Sequence, residues 1–314
     1  MEFFDTATDL GMDFLRKLEA IRTPFLDELF LLITKLGEET IPIVVMCFVL
    51  WCVNKRMACA IGVSFFLSGM SVHALKIGCR IDRPWILDPG FTIVERAREA
   101  ASGYSFPSGH TQNAGSILLT LGLWNRKKTW VLPVCIFTAV LVAFSRMYLG
   151  VHTPADVTVG FIIALAASVI AAAVFGGKNK PLAQNIVLAV VIVCSGALAA
   201  YAGSLYGSGI IDSHYTADAL KMAGAGIGFA VGLFVEHKYI NYSEKTEKFW
   251  HQIVKFAIGL IGVLALKSGI KAIFGESLTV DFIRYFLVIV WAVDVWPFIF
   301  SKWLFKKEES DSAL

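Results

Sequence analysis

Long apolar segments recur along almost the whole chain, and this recurrence limits the possible fold more than any other feature. They run at about 39–53, 57–77, 111–124, 129–149, 155–175, 181–203, 216–236, 251–273 and 282–305. A bilayer's hydrocarbon core is about 30 Å thick and needs about 20 apolar residues for each helical span. Lipid offers the backbone no hydrogen-bond partner, so segments of this kind must close their bonds internally, as helices. The composition agrees: 56% of the chain is hydrophobic and 17% charged, with a mean hydropathy of +0.66, against about 45–50% apolar in soluble domains. The expected fold is all-α, a polytopic transmembrane helical bundle of about nine spans.

The first 36 residues differ. Asp5, Asp9, Asp13, Arg16, Lys17 and Glu19 leave no apolar core for a cleavable signal peptide. Phe14, Leu15, Leu18, Phe25, Leu29 and Leu32 form one apolar face instead, which predicts an amphipathic helical segment at the membrane interface. A short span over 23–36 is the competing reading.

The loops alternate in charge. Asn54-Lys55-Arg56, Asn125-Arg126-Lys127-Lys128, Gly177-Lys178-Asn179-Lys180, the Lys238–Lys255 region and a tail with Lys302, Lys306 and Lys307 lie on one side. Short basic loops face the cytoplasm. The 78–110 loop and the turns at 150–156, 204–215 and 275–281 therefore face outward. The formal net charge of +3 gives no reason to expect a nucleic-acid partner. Of six cysteines only Cys79 stands beside a candidate site, so neither a disulfide framework nor a metal site is expected. No oligomeric state follows from the sequence.

Three polar clusters sit in or beside the first outward loops: Lys76 to Pro84, Pro107-Ser108-Gly109-His110, and Ser145-Arg146 through His152 to Asp156. Alone, each has an ordinary explanation. Lys76 and Arg83 suit interfacial anchors that snorkel to the head groups, Ser108 suits a helix N-cap, and Asp156 suits a cap beside a nearby histidine. Arg146 is harder to dismiss, because a charge at the end of an apolar run is costly unless it is paired or functional. Together the clusters supply a phosphate site. Arginine forks and a lysine hold phosphate oxygens, and a helix start adds backbone N–H groups. His152 and Asp156, four apart, share a helix face, so the carboxylate can orient the imidazole for attack. Arg80 is a possible accessory to this clamp.

The pattern K-x(6)-R-P, P-S-G-H and S-R-x(5)-H-x(3)-D resembles the signature of the type 2 phosphatidic-acid phosphatase superfamily. That superfamily includes lipid phosphate phosphatases, undecaprenyl-diphosphate phosphatases, phosphatidylglycerophosphate phosphatase, sphingosine-phosphate phosphatases, glucose-6-phosphatase and vanadium haloperoxidases. All three motifs are present, and the resemblance covers about residues 25–175. It implies that Lys76, Arg83 and Arg146 clamp the phosphoryl group, with Ser108 and Gly109 adding hydrogen bonds. It further implies His152 as nucleophile, Asp156 as its orienter and His110 as general acid and then base, with no cofactor and no catalytic metal.

On this resemblance the chain divides into an interfacial segment (1–36), a phosphatase core (37–176), accessory transmembrane helices (177–305) and a disordered tail (306–314). The expected function is hydrolysis of a lipid phosphate or diphosphate at the extracytoplasmic face, in a bacterial plasma membrane, with undecaprenyl diphosphate the first candidate. Phosphatidic acid, phosphatidylglycerol phosphate and sphingoid phosphates are alternatives, as is a soluble sugar phosphate. A transporter or channel is the alternative from another class, because Lys267, Arg284 and Asp294 lie in apolar runs. A structural ion pair between the last two helices is the preferred reading of those three.

Overall fold

The computed structural model describes residues 2–178, 180–246 and 248–304, so the tail expected to be disordered lies outside the described residues. All regular structure among the described residues is helical. Helices α1 (Glu2–Glu19) and α2 (Pro24–Thr34) precede α3 (Thr40–Phe48) and the long α4 (Lys55–Cys79). A four-residue helix, α5 (Pro84–Leu87), opens the outer loop, and α6 (Gly109–Trp124), α7 (Val131–Tyr148) and α8 (Pro154–Phe175) follow. The second half holds α9 (Pro181–Gly207), α10 (Ser213–Val235), α11 (Phe249–Phe274), α12 (Leu278–Val290) and α13 (Trp296–Ile299).

Seven of these helical stretches are long and apolar enough to cross a membrane, and α2 with α3 makes an eighth if that bent pair counts as one span. The expected nine included α6. At 16 residues it is shorter than the others, yet it packs against α4, α7 and α8. Residues 24–37 and 40–53 form a helical pair bent by 51°, so 23–36 do not make an independent straight span.

Local chemistry sets the helix ends that matter for the site. Asn54 caps α4 through a bond from Met57 N–H. At its other end Arg80 adopts a left-handed conformation, with φ of 53°, and stops the helix after Cys79. Thr153 and Asp156 form a capping box at the start of α8, with Pro154 in its first turn. Each group in such a box satisfies an amide the helix would otherwise leave open. The main core joins α4 to α8, α9, α10 and α12 through Phe66, Phe175, Val191, Phe229 and Val288. A smaller cluster of Phe30, Leu31, Ala97, Ala101, Tyr148 and Val151 ties α2 and the outer loop to the end of α7.

Two glycines permit approaches that a side chain would block. A Cβ at Gly160 of α8 would stand 2.7 Å from the Ser108 carbonyl oxygen, and one at Gly224 of α10 would stand 2.3 Å from that of Phe282. The first lets α8 lie against the start of α6; the second seats α10 on α12.

The anticipated ion pair between the last two helices does not form. Lys267 reaches Glu39 beside the start of α3 at 3.0 Å. Arg284 pairs with Asp281 one turn earlier on its own helix, and Asp294 Oδ1 has no hydrogen-bond partner. The reason is geometric: an i, i+3 carboxylate is closer to Arg284 than anything on a neighbouring helix.

Gly224→Ala is expected to loosen the α10–α12 contact, because the added methyl meets backbone that cannot rotate away. Overpacking of this kind costs about 1–3 kcal/mol. A thermal unfolding midpoint equal to that of the parent protein in the same detergent would contradict it.

Candidate active site

The C-terminal ends of α4 and α7 and the N-terminal ends of α6 and α8 meet beneath the 88–106 loop, and the three sequence clusters meet there too. The loop is stitched down at many points. Arg16 pairs with Asp88 at 2.5 Å, Arg22 donates to the Thr92 carbonyl at 2.7 Å, and Val94 N–H donates to the Leu149 carbonyl. The loop's helical content is one 3-10 turn at Glu95–Ala97, and its backbone serves as a scaffold for the cations.

Those cations are held largely by carbonyl oxygens. Arg83, only 4% exposed, donates from Nε to Gly103 and from Nη2 to Ser102, each at 2.9 Å. Its Nη1 donates to Val151 at 2.9 Å. Lys76 Nζ donates to the Tyr104 carbonyl, and the Tyr104 ring is stacked on Tyr215 of α10. Carbonyls orient these groups without neutralising them, so the positive charge remains available. Arg146 is fully buried and donates from Nη1 to Thr34 Oγ1 at 2.8 Å. Its Nε and Nη2 are buried without a hydrogen-bond partner, as is Nε2 of His110. Leaving such donors unpaired costs about 1–3 kcal/mol each, which an anion bound among them would recover.

His152 is 1% exposed and lies between Arg83 and Asp156. Its Nε2 is 2.9 Å from Arg83 Nη1, and its Nδ1 is 3.3 Å from Asp156 Oδ2. A guanidinium can only donate. Nε2 therefore carries the lone pair and Nδ1 the proton, which points at the carboxylate. Burial, then the nearby charges of Arg83, Arg146 and Lys76, push the His152 imidazole well below its ordinary value, toward the neutral form. A neutral ring with its lone pair turned to a cationic cradle is a competent nucleophile.

Asp156 Oδ2 also accepts from Thr153 N–H at 2.8 Å and from Ser105 Oγ at 2.6 Å. Ser105 Oγ is itself 3.5 Å from His152 Nδ1. Sequence reasoning missed Ser105. It stands three residues before Ser108 in a stretch with no helical spacing to Asp156, and only the fold of the loop brings the two together.

Ser108 is buried and accepts from Thr111 N–H and, at 3.0 Å, from Thr111 Oγ1. Its own amide donates to the Asp156 carbonyl at 3.0 Å, tying the two helix starts together. Gly109 and His110 line the cavity, and their amides belong to a first turn that has no intrahelical acceptor. Nothing lies within 4 Å of where a Gly109 side chain would begin. Arg80 is not brought to the site: it is exposed and folds back onto the Ile77 carbonyl at 3.3 Å. Among the described residues no three His, Cys, Asp or Glu side chains gather as a metal site.

Lys76, Arg83, Gly109, His110 and His152 line one end of a cavity of about 500 Å³. This combination of membrane helices and buried cationic site has relatives. Residues 57–180 match the family model described as the PAP2 superfamily, and the chain belongs to that superfamily. Residues 220–308 match a second one, described as the PAP2 superfamily phosphatase transmembrane extension; the chain is thus an integral membrane member that carries this extension.

An undecaprenyl-diphosphatase of Sulfolobus acidocaldarius is 29% identical over 140 residues, 44% of this chain and 65% of that protein. Phosphatidylglycerophosphatase B of Escherichia coli is 37% identical over 90 residues, 27% of this chain and 35% of that protein. Both matches thus span less than two thirds of those relatives. A crystal structure of a transmembrane PAP2 type phosphatidylglycerolphosphate phosphatase from Bacillus subtilis aligns at 26% identity with a TM-score of 0.45, covering 55% of this chain and 88% of that one.

Two outcomes are expected here. Ser105→Ala should lower kcat roughly tenfold with little change in KM, because it frees the carboxylate that orients the nucleophile and about 1.4 kcal/mol is a factor of ten. Equal kcat in variant and parent would remove Ser105 from the site. The acid limb of kcat/KM should lie below the ordinary histidine value of about 6.5, since His152 is held neutral and must gain a proton to lose activity. Arg83→Ala should move that limb upward; an unmoved limb would show that Arg83 does not set it.

Proposed function

We propose that the chain is a phosphatase that hydrolyses a lipid phosphate or diphosphate through a phosphohistidine. The single observation that carries this reading is His152, with Nδ1 directed to Asp156 and Nε2 to the guanidinium of Arg83. A phosphoryl group held by Lys76, Arg83 and Arg146 would present phosphorus to that lone pair. His152 Nε2 then forms the P–N bond as the ester or anhydride P–O bond breaks, and protonated His110 gives its proton to the leaving oxygen. In the second half His110 takes a proton from water, the water oxygen attacks phosphorus, and the P–N bond breaks to release inorganic phosphate. Asp156 stabilises the imidazolium that develops, and preplaced cations supply most of the electrostatic stabilisation. The charge clusters are cationic at the phosphate end, which supports chemistry without a metal.

Lipid is the favoured substrate because the cavity leads from the cationic end into an apolar interior bounded by Phe66, Phe229 and Val263. A closed polar pocket would suit a sugar phosphate better. The names of similar proteins make a polyprenyl diphosphate such as undecaprenyl diphosphate the first candidate, with phosphatidylglycerol phosphate, phosphatidic acid and sphingoid phosphates next. The site sits at the helix ends opposite the Lys- and Arg-rich loops, which supports an extracytoplasmic orientation in a bacterial plasma membrane. The pairing of Lys267 and Arg284 with carboxylates weighs against a transport path.

Phosphate release from a panel of polyprenyl diphosphate, phosphatidic acid, phosphatidylglycerol phosphate and glucose 6-phosphate tests the reading. At least one lipid should turn over, with activity retained in EDTA and lost in His152→Ala while membrane insertion persists. Appreciable turnover by a correctly inserted His152→Ala protein would sink the nucleophile assignment. A strict Mg²⁺ requirement would sink the metal-free mechanism.

A further inference from the structure

The cavity that begins at His152 continues far beyond the phosphate-binding end. Its lining follows α4 from Lys76 to Ala58, roughly 27 Å at 1.5 Å per residue, close to the ~30 Å of a bilayer's hydrocarbon core. The opposite wall comes from α3 and from α10, α11 and α12. Most of those last three helices falls within the transmembrane extension matched over 220–308, and the chemistry above uses none of its side chains.

The lining changes character in one direction on every element. Just past the phosphate end is a polar collar. There Lys221 Nζ lies 3.0 Å from Asp218, and Lys267 Nζ lies 3.0 Å from Glu39. Glu39 also accepts from the Tyr285 hydroxyl at 2.7 Å. Each ammonium there has a carboxylate partner, so the collar is far less cationic than the phosphate end. Farther along, the lining is apolar, with Leu50, Phe66, Phe229, Val263, Ile289 and Ala292. Phe66 and Val263 are each 1% exposed, so this part of the wall lies inside the protein and not on its lipid-facing surface.

We propose that the extension helices turn the catalytic cavity into a receptacle for the substrate's hydrocarbon tail, with one chain held inside the protein behind the phosphate. The assignment rests on the lipid-phosphatase reading and gives that site its specificity element. An apolar cavity gives water too few partners to be a good host, whereas an alkyl or prenyl chain matches it in chemistry and in length. The neutral collar accommodates the joint between phosphate and chain. Ala225 of α10 and Ala292 are small residues of the lining, and their size controls how far a chain can enter.

The test uses alkyl phosphonates, whose P–C bond the enzyme cannot hydrolyse, carrying a diazirine at the far end of a short or a long chain. After irradiation of the whole protein in detergent, the long probe should label Phe229, Val263 or Ile289. Ala225→Phe should block that labelling. It should also lower the ratio of long-chain to short-chain kcat/KM, measured with alkyl phosphates, at least tenfold; Ala292→Phe serves if the first variant does not fold. Labelling confined to exposed residues such as Phe234 and Ile258, no labelling at all, or an unchanged ratio in an active, folded variant would overturn the receptacle. Interior labelling without phosphate release from any alkyl phosphate would support the receptacle and count against the phosphatase reading instead.

Discussion

The structure depends on a concentration of largely buried positive charge. Lys76, Arg83 and Arg146 approach one another at neighbouring helix ends, and Asp156 lies close to Lys76 and Arg83. Charges in a low-dielectric interior are costly unless they are paired or solvated by dipoles. Here the backbone does that work: carbonyls of Ser102, Gly103, Tyr104 and Val151 take the place of water. Carbonyl dipoles fix the position of the cations and leave their charge uncompensated, which is what an anion-binding site needs. The 88–106 loop, the bend between α2 and α3, and the tight approach of α8 to α6 at Gly160 all serve that arrangement.

A second consequence concerns His152. Donor-only Arg83 on one side and acceptor Asp156 on the other leave the ring a single sensible tautomer. Asp156 is in turn held by a backbone amide and by Ser105, while also closing the capping box of α8. One carboxylate therefore starts a helix and orients the His152 imidazole. The same economy appears at Ser108, which caps α6 through its hydroxyl while its amide holds the start of α8. Helix termini at a membrane surface are suited to this, since they expose unpaired backbone groups next to polar side chains.

The helices after α8 sit against this centre as well as behind it. Tyr215 stacks on Tyr104, whose carbonyl orients Lys76, and Glu39, next to α3, is bonded from both α11 and α12. The accessory helices thus brace the catalytic half through residues that show no motif of their own.

The helical class, and that the three clusters holding Lys76, Arg83, Ser108, Gly109, His110, Arg146, His152 and Asp156 come together, were legible from the sequence alone. Spans read well because lipid imposes length and apolarity on each segment separately. His152 and Asp156 read as neighbours because they are close in sequence, although His152 precedes α8 and meets Asp156 through the cap at its start and not along a helix face. Ser105, the carbonyls that hold the cations, the exclusion of Arg80 and the partners of Lys267 and Arg284 were not legible. Each depends on a contact between segments far apart in the chain, and no local spacing encodes such a contact. The sequence by itself determined a helical membrane protein with three clusters of cations, histidines and a carboxylate. The tertiary structure decided how those parts face one another and that the extension walls the same cavity, because helix packing and loop closure set distances between segments that composition and periodicity leave free.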